Sequence, residues 1–585
     1  MKKTHQPVRM TLAHINDTHS YFEPQSLQID LEFDGRKVSP YVSNGGFARI
    51  ATRAGQIKEE ARINSREFMF FHAGDCFQGT LYFSLFKGEA NADMLNALAI
   101  DAMAIGNHEL DMGNEPVAEF LDRINFPLLA GNWDISNELS NKAKKLTGKA
   151  KLKSYNAENK TANWILNRAE GEPVAIFGLS LDKMSEIANV DPDTPFVNAL
   201  ETAENTIAAI HAQGINKIIL ISHLGYQADK ELAAATQGIG LIIGGHTHTL
   251  QGDFSSLGFA KEEEYGTKVN GTHIVHAGWH AQSIGHCHID FDAGGKVTHF
   301  SGKNELLFGS RLWNDPSLQE TFQDDLHQKA DKYLREHENV VFCKKDPKLH
   351  SLLQDKYIPR VRELQNTKIG TASQALRHVR IPDDQGASEI APLVAESFAH
   401  MMKEKGFAVD FAIHNAGGIR TSLNAGDITI ADIAGKLLPF AVPIGVYELK
   451  GKNIALALEG AINNATSNGV IGTGSGSYPY AHNLDYIYKP ENLMGSRVIN
   501  LKLFTGAGDW VAVEPEKYYL GTSSAYTMKG KEGYDALTKM RGLGTVTVAS
   551  MADCFIDFIQ RYPERLSGNE QTDSAADSKT INIMF

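Results

Sequence analysis

The sequence predicts an α/β protein of two domains, the first built from two packed sheets with helices outside, the second a smaller α/β unit. Three observations predict this. The chain has 585 residues, more than a single ordinary core organises. Short apolar runs alternate with helix-like patterns along the first half, and five of those runs stop at a cluster rich in Asp, Asn and His. After a stretch near 346–365 that reads as a connecting helix, a second series of strand-like and helix-like segments begins. The expected divisions are a first domain at 1–345, a connecting helix at 346–365 and a second domain at 366–585.

Composition is that of an ordinary globular protein. A net charge of −13 argues against a general binder of nucleic-acid polymers. It leaves small anionic substrates open, because bound metals reverse the local field. The four cysteines, Cys76, Cys287, Cys343 and Cys554, are far apart and fit no disulfide framework, so free thiols are expected, with a long-range disulfide left open. No segment reads as a membrane span. The visible N-terminus carries positive charge with no apolar run after it, which makes a cytoplasmic protein the expectation; a periplasmic or secreted protein whose signal had been removed would look the same.

In the first domain, 9–15 reads as a strand, and Asp17 and His19 follow it. Two apart on extended backbone, both would face one centre. Gly45 and Gly46 open a helix through Ile63, where Arg49 either meets an anion or carboxylate or packs at the helix start. Residues 67–71 read as a central strand, followed by Asp75 between Gly74 and Gly79: a metal position, or an Asx-turn aspartate. A helix and then a strand are expected in 91–105, ending at Gly106, where glycine permits a turn into Asn107-His108-Glu109-Leu110-Asp111. The lysine-rich stretch 136–163 reads as a surface excursion. Strands at 173–179, 217–222 and 240–245 follow, the last two running into His223 and into His246 and His248. Further strands at 272–277 and 283–291 close the domain.

A charged helix-compatible stretch at 316–336 leads to the connector, whose stripe of Leu349, Leu352, Leu353, Tyr357, Val361 and Leu364 is interrupted by Pro359. The second domain offers a helix at 388–405, a strand at 409–414 that leads into Asn415-Ala-Gly-Gly-Ile-Arg420, a sharp turn before Phe440, and strands at 446–449, 486–488, 498–503 and 518–521. Residues 581–585 are a candidate docking segment. The glycine-rich 469–476 lacks the lysine of a nucleotide-binding P-loop.

Any one of these histidines reads as an ordinary hydrogen-bonded residue. Taken together, Asp17, His19, Asp75, Asn107, His223, His246 and His248 offer oxygen and imidazole donors at strand ends. The set suits a dinuclear site for divalent Mn, Zn, Mg, Co or Ca.

The order and type of these blocks resemble the 5′-nucleotidase family of metallophosphoesterases: Asp17-x-His19, Gly74-Asp75, Gly106-Asn-His-Glu-Leu-Asp111, His223 and Gly245-His-Thr-His248. The resemblance extends to Asn415-Ala-Gly-Gly-Ile-Arg420 and so covers nearly the whole chain. It implies an N-terminal metallophosphoesterase β-sandwich flanked by helices and a C-terminal nucleotide-binding α/β domain. One ion would be held by Asp17, His19, Asp75 and His248, the other by Asp75, Asn107, His223 and His246, with Asp75 bridging. His108, oriented by Asp111, would stabilise the transition state or protonate the leaving oxygen. Asn415, Gly417, Gly418 and Arg420 would approach the nucleotide, Phe440 and Tyr526 would stack on its base, and Glu532 would accept from the ribose. Arg377 and Arg380 resemble arginines that face the phosphate, although they read equally as surface arginines on a polar loop. Phe440 and Tyr526 have core packing as their other reading.

The chain departs from the family at His248, a glutamine in some relatives, at Tyr526, commonly phenylalanine, and at Gly530-Lys-Glu-Gly-Tyr534, where relatives have Gly-Gly-Asp-Gly-Phe. The implied activity is hydrolysis of nucleoside 5′-monophosphates by a metal-activated hydroxide. Cyclic-nucleotide phosphodiesterase with 3′-nucleotidase activity, hydrolysis of UDP-sugars or nucleoside polyphosphates, and an inactive nucleotide-binding protein are the alternatives.

Overall fold

The computed structural model describes residues 5–169, 171–313, 325–440, 442–505 and 508–566. The chain divides into two compact units: the described residues up to Gln78 together with Phe86 to Pro359, and Gly79–Leu85 together with the described residues from Arg360 on. The connector runs across that division. Pro347–Leu352 and Ile358–Gln365 are α-helix, and Leu353–Tyr357 between them is a π-turn. Pro359 accounts for the widening: it has no N–H to give, and its ring crowds the carbonyl of Asp355. Of the charged stretch expected before the connector, Asp325–Glu336 is helix, and its start lies outside the described residues, as does 581–585.

The first unit is a sandwich. Val8–Ile15 lies inside an eleven-stranded sheet. Glu67–His72, Ala102–Ala104, Leu128–Ala130 and Leu152–Asn156 follow it in parallel on one side, and Ser283–Phe291 and Val297–Trp313 continue antiparallel on the other. The second sheet has six strands, with Glu172–Ser180, Ile218–His223, Leu241–Ile243 and Thr272–Val275 parallel at its centre. These short apolar strands are covered on both faces, as parallel sheets require. Val8, Met10, Leu12 and Phe71 from the first sheet meet Ile176, Ile219, Ile221 and Ile243 from the second in one buried core. The outer face of the second sheet, with Phe177, Leu220 and Ile242, packs on helices Ala199–Ala212 and Tyr226–Ala235.

One expectation is corrected here. The stretch 136–163 is not only a surface excursion, because Leu152–Asn156 and Thr161–Ala162 lengthen the first sheet. Leu152 and Ser154 are buried while Lys153 and Tyr155 between and beyond them are not. That period of two was present in the sequence and masked by the surrounding lysines.

The second unit holds a five-stranded sheet in the order Pro479–His482, Phe411–Asn415, Tyr518–Ser524, Pro443–Lys450 and Arg541–Ser550. Helices Ile390–Glu404, Gly451–Thr466 and Met551–Arg561 belong to it. Asn415 ends an inner strand of this sheet. All four cysteines are free and buried. Among the described residues no helix is long and apolar enough to cross a membrane.

The two sheets pack tightly at Gly178. A methyl group there would lie 2.4 Å from Leu129 Cβ and 2.9 Å from Leu129 O, and the Gly131 N–H donates to Gly178 O across the gap at 2.9 Å. Gly178→Ala is therefore expected to lower the unfolding free energy by about 1–3 kcal/mol. Gly55 sits mid-helix on an exposed face with open space beside it. Gly55→Ala is expected to raise stability by about 0.5–1 kcal/mol. Urea denaturation of the metal-free variants measures both.

Candidate metal centre

Strands Val8–Ile15, Glu67–His72 and Ala102–Ala104 of the first sheet, and Ile218–His223 and Leu241–Ile243 of the second, each run out into one of the polar motifs. Carboxyl ends of parallel strands are where α/β folds place their ligands. The backbone leaves the strands through left-handed conformations: φ is 49° at Asp17, 46° at His19, 59° at Asp75, 78° at His246 and 55° at His248. The extended backbone expected at 17–19 is thus replaced by a turn. Such angles cost a non-glycine residue of order 1 kcal/mol and collect at functional sites. The turns are held in step by backbone bonds from Asp17 N to Gly74 O (2.9 Å), His19 N to Asp75 O (3.1 Å) and Ser20 N to Cys76 O (3.0 Å).

The motifs converge into two clusters of donor atoms. Asp17, His19 and His248 form one, and Asp75, His223 and His246 the other, with the donor atoms within each lying within 4.8 Å of one another. In the first, His19 Nε2 and His248 Nε2 are 3.1 Å apart, and His248 Nε2 lies 3.6 Å from Asp17 Oδ1. In the second, His223 Nε2 lies 3.1 Å from Asp75 Oδ2 and 3.3 Å from Asn107 Oδ1, and His246 Nδ1 lies 2.9 Å from the same Asn107 oxygen. Separations near 3 Å match neighbouring positions around an ion with bonds of about 2.0–2.2 Å. The far ring nitrogens are anchored: His223 Nδ1 donates to Ala73 O at 2.7 Å, and His19 Nδ1 to Phe77 O at 3.2 Å. Each anchor turns the other nitrogen toward its cluster. The donor set fits a pair of divalent cations.

His108 stands beside both clusters. Its backbone N–H donates to Asp75 Oδ1 (2.9 Å), and its ring Nδ1 donates to Asp111 Oδ2 (2.6 Å). Its ring packs edge-on against His19, with centroids 5.1 Å apart. Burial would lower its pKa, but Asp111 and then Asp75 raise it to about 9. His223 behaves alike: burial opposes, and Asp75 followed by Asp17 lifts it to about 10. Against burial, His223 and His108 hold Asp75 well below the usual carboxylate range. Burial lifts Asp17 to about 7, with His223 opposing and Asp75 assisting. His246 is lowered to about 3 by burial and by the charge of His223, and His19 is also lowered, mainly by burial.

Gly106 has a different reason from the one expected. A Cβ there would lie 2.1 Å from Asp75 Oδ1 and 2.5 Å from the Asp75 nitrogen, so the residue is small because Asp75 crosses against it. Arg49 resolves to the helix-start role: its guanidinium donates to Gly45 O (2.9 Å) and Ser43 Oγ (3.0 Å).

Sequence reasoning missed the residues that hold the loops. Glu109 is buried, and its carboxylate accepts four backbone N–H groups: Gly106 (2.7 Å), Asp75 (3.0 Å), Cys76 (2.7 Å) and Phe77 (3.0 Å). Its signal was its place within the same motif as Asn107 and His108. Asn16 donates to Asp17 Oδ2 (2.6 Å) and to Gly278 O (2.6 Å). His72 accepts from the Gly74 N–H (3.1 Å) and bonds Thr18 Oγ1 (2.8 Å), clasping the first two loops. His280 stacks on Tyr21, centroids 3.9 Å apart, and lies edge-on to His19 at 5.7 Å.

In the second unit, Asn415 Nδ2 donates to Glu532 Oε2 (3.5 Å), and Asn415 Oδ1 accepts from Thr527 Oγ1 (3.2 Å). Burial pushes the Glu532 carboxyl up, against Asn415, Arg380 and Tyr526. Those four residues therefore gather at one place. The Arg420 guanidinium lies 5.3 Å from the centre of the Phe440 ring and donates to Gly417 O at 3.3 Å. The space beside Gly418 is filled by the His414 ring, and Gly417 lies against the Gly476 backbone, which gives both glycines a packing reason. Arg377 is paired with Asp383 within its own loop.

Residues 10–250 match the family described as Calcineurin-like phosphoesterase, and residues 368–539 match the 5′-nucleotidase, C-terminal domain. A probable 5′-nucleotidase of Treponema pallidum is 30% identical over 90% of this chain and 87% of its own length. An NAD 5′-nucleotidase of Haemophilus influenzae is 28% identical over 96% of this chain and 92% of its own. Among solved structures, the 5′-nucleotidase precursor from Thermus thermophilus is similar with a TM-score of 0.68 at 27% identity, covering 95% of this chain and 97% of that one. Calcineurin-like metallophosphoesterases use a dinuclear metal site, in keeping with the two donor clusters.

The Glu109 clasp makes a measurable claim. Glu109→Ala leaves four buried N–H groups without their acceptor, and the expected loss is several kcal/mol, at about 1–3 kcal/mol for each group left unsatisfied less what water recovers. Glu109→Gln keeps one acceptor oxygen and should lose less; thermal melts of the metal-free and metal-loaded proteins report both. A chain that matches both domain families in this order, and a nucleotidase at this identity along nearly the full length of each, belongs to the 5′-nucleotidase family of metallophosphoesterases, enzymes that hydrolyse nucleotide phosphate esters.

Proposed function

We propose that this chain hydrolyses nucleoside 5′-monophosphates to nucleoside and phosphate. Asp17, His19, Asp75 and His248 would hold one divalent ion, and Asp75, Asn107, His223 and His246 the other. The observation that carries the reading is the pair of donor clusters with the His108–Asp111 hydrogen bond beside them. When bound, the two ions supply Lewis acidity toward phosphate oxygens and lower the pKa of bound water. The mixed imidazole, carboxylate and amide donors suit Mn, Zn or Co better than Mg or Ca, which prefer all-oxygen sites.

The remaining work falls to the chain's own side chains. Asp111 fixes the His108 ring and keeps it protonated, so His108 Nε2–H is the donor assigned to the phosphoryl or leaving oxygen. Asn415 and Glu532 are assigned to the ribose, Phe440 and Tyr526 to the base, and Arg420 and Arg380 to the anionic end of the nucleotide. Arg377, spent on Asp383, is the weakest of the assigned set. The 5′-nucleotidase names of the relatives support a nucleotide substrate.

The test is phosphate release by metal-stripped protein reloaded separately with Mn, Zn, Co, Mg and Ca. The substrates are 5′-AMP, 3′-AMP, 2′,3′-cyclic AMP, UDP-glucose and an aryl phosphate. Preference for 5′-AMP is expected. Preference for the 3′ and cyclic compounds would replace the reading with the cyclic phosphodiesterase one, and absence of turnover with every ion would leave a binding protein.

Two further outcomes are expected. His108→Ala lowers kcat about 10²–10⁴-fold while the protein retains its ions by elemental analysis. Loading the stripped protein with metal near pH 7 releases about one proton or more per molecule, read with an indicator dye in weak buffer. The sign follows from His223: its pKa is raised to about 10, so near neutrality the ring carries the proton that a cation must displace. Apparent metal affinity should therefore climb as pH rises toward that value.

A further inference from the structure

Ser222, Asp229 and His276 are fully buried, and the proposed reaction uses none of them. They form a chain: Ser222 Oγ donates to Asp229 Oδ1 at 2.5 Å, and His276 Nε2 donates to Asp229 Oδ2 at 2.8 Å. A buried carboxylate held by one hydroxyl and one imidazole is costly unless its geometry is well made. Its location shows what the geometry serves. Ser222 immediately precedes His223, and its oxygen also accepts from the Leu224 N–H at 3.1 Å, so both sides of His223 are tied to it. Gly244, two residues before His246, crosses directly over the pair: a Cβ there would lie 2.1 Å from His276 Nε2 and 2.2 Å from Asp229 Oδ2.

His276 is itself anchored. Its N–H donates to Gln251 Oε1 (2.8 Å), its carbonyl accepts from Asn304 Nδ2 (2.8 Å), and the Tyr226 ring meets it edge-on at 5.2 Å. The next residue, Ala277, donates its N–H to Asn16 Oδ1 (2.9 Å). One carboxylate, on the first turn of helix Tyr226–Ala235, thereby fixes the segments that present His223 and His246.

We propose that Asp229, acting through Ser222 and His276, positions His223 and His246 and so sets the affinity of the second cluster for its ion. This rests on the reading that those histidines hold an ion. Asp229 is a positioning residue, fully buried, and it bears more directly on the second cluster than on the first: Asp17 and His19 take backbone bonds to Gly74 O and Asp75 O, His19 Nδ1 donates to Phe77 O, and the path from His276 to Asp17 runs indirectly through Ala277 and Asn16.

The experiment titrates metal-stripped full-length protein with Mn²⁺ by calorimetry, counts retained ions, and follows the thermal midpoint and the kcat and KM of the loaded enzyme. The variants are Asp229→Asn, Ser222→Ala, His276→Leu and His276→Gln. Expected are two sites in the wild type, and in Asp229→Asn and His276→Leu a second site weakened about 10–100-fold with the first unchanged. kcat should fall with little change in KM. His276→Gln, whose amide N–H still donates to the carboxylate, should recover most of the affinity that His276→Leu loses. Should Asp229→Asn not fold, Ser222→Ala, which removes a single oxygen, gives the same split more weakly. Variants that melt lower yet bind both ions as the wild type does, or that weaken both sites alike, would overturn the inference. A wild type that binds two ions with unchanged variants sinks this inference alone; a wild type that binds none sinks the functional reading with it.

Discussion

One hydrogen bond carries the architecture of the site: His223 Nδ1–H to Ala73 O, 2.7 Å, across the gap between the two sheets. His223 ends a strand of the second sheet, and Ala73 follows a strand of the first. The contact is that close because Gly74 has no side chain, and a Cβ there would lie 2.4 Å from the same nitrogen. The bond fixes the ring tautomer and turns Nε2 toward Asp75 and Asn107, which both come from the first sheet. Two layers packed through an apolar core thus become one polar site at their common edge. The left-handed turns at Asp17, His19, Asp75 and His246 deliver the remaining donors to it.

The electrostatics of the metal-free chain show what the site is built to receive. Asp75 stays ionised because His223 and His108 carry the compensating charge, while His19 and His246 are kept neutral by burial and by their charged neighbours. A proton on His223 occupies a place a cation would take. Glu109 stays outside this exchange: its oxygens are committed to four backbone N–H groups and hold the Asp75 and Asn107 loops to each other. Carboxylates of the same motif neighbourhood therefore divide their work, Asp75 facing the donors and Glu109 facing the backbone.

The sandwich and the site were legible in the sequence for a local reason. Each donor lies within a few residues of a strand end, so the order of apolar run, glycine and polar residue could be read without knowing any long-range contact. What remained hidden depends on partners distant in sequence. Gly106 looked like a turn residue, and only the crossing of Asp75 shows why it is small. Asp229 and His276, 47 positions apart, carry no local motif, and only the fold places them together. In the second unit the motif around Asn415 was visible, but the approach of Glu532 and Thr527 to it spans more than a hundred residues. The strand at Leu152–Asn156 was missed because the lysines around it outweighed an alternation carried by only two buried residues.

The central claim is that the two donor clusters hold two separate ions. Anomalous diffraction from crystals of the protein loaded with Mn²⁺ tests it most directly. The account predicts two anomalous peaks, one among Asp17, His19 and His248 and one among Asn107, His223 and His246, with Asp75 reaching both. A single peak, or a peak pair held by other side chains, would contradict it.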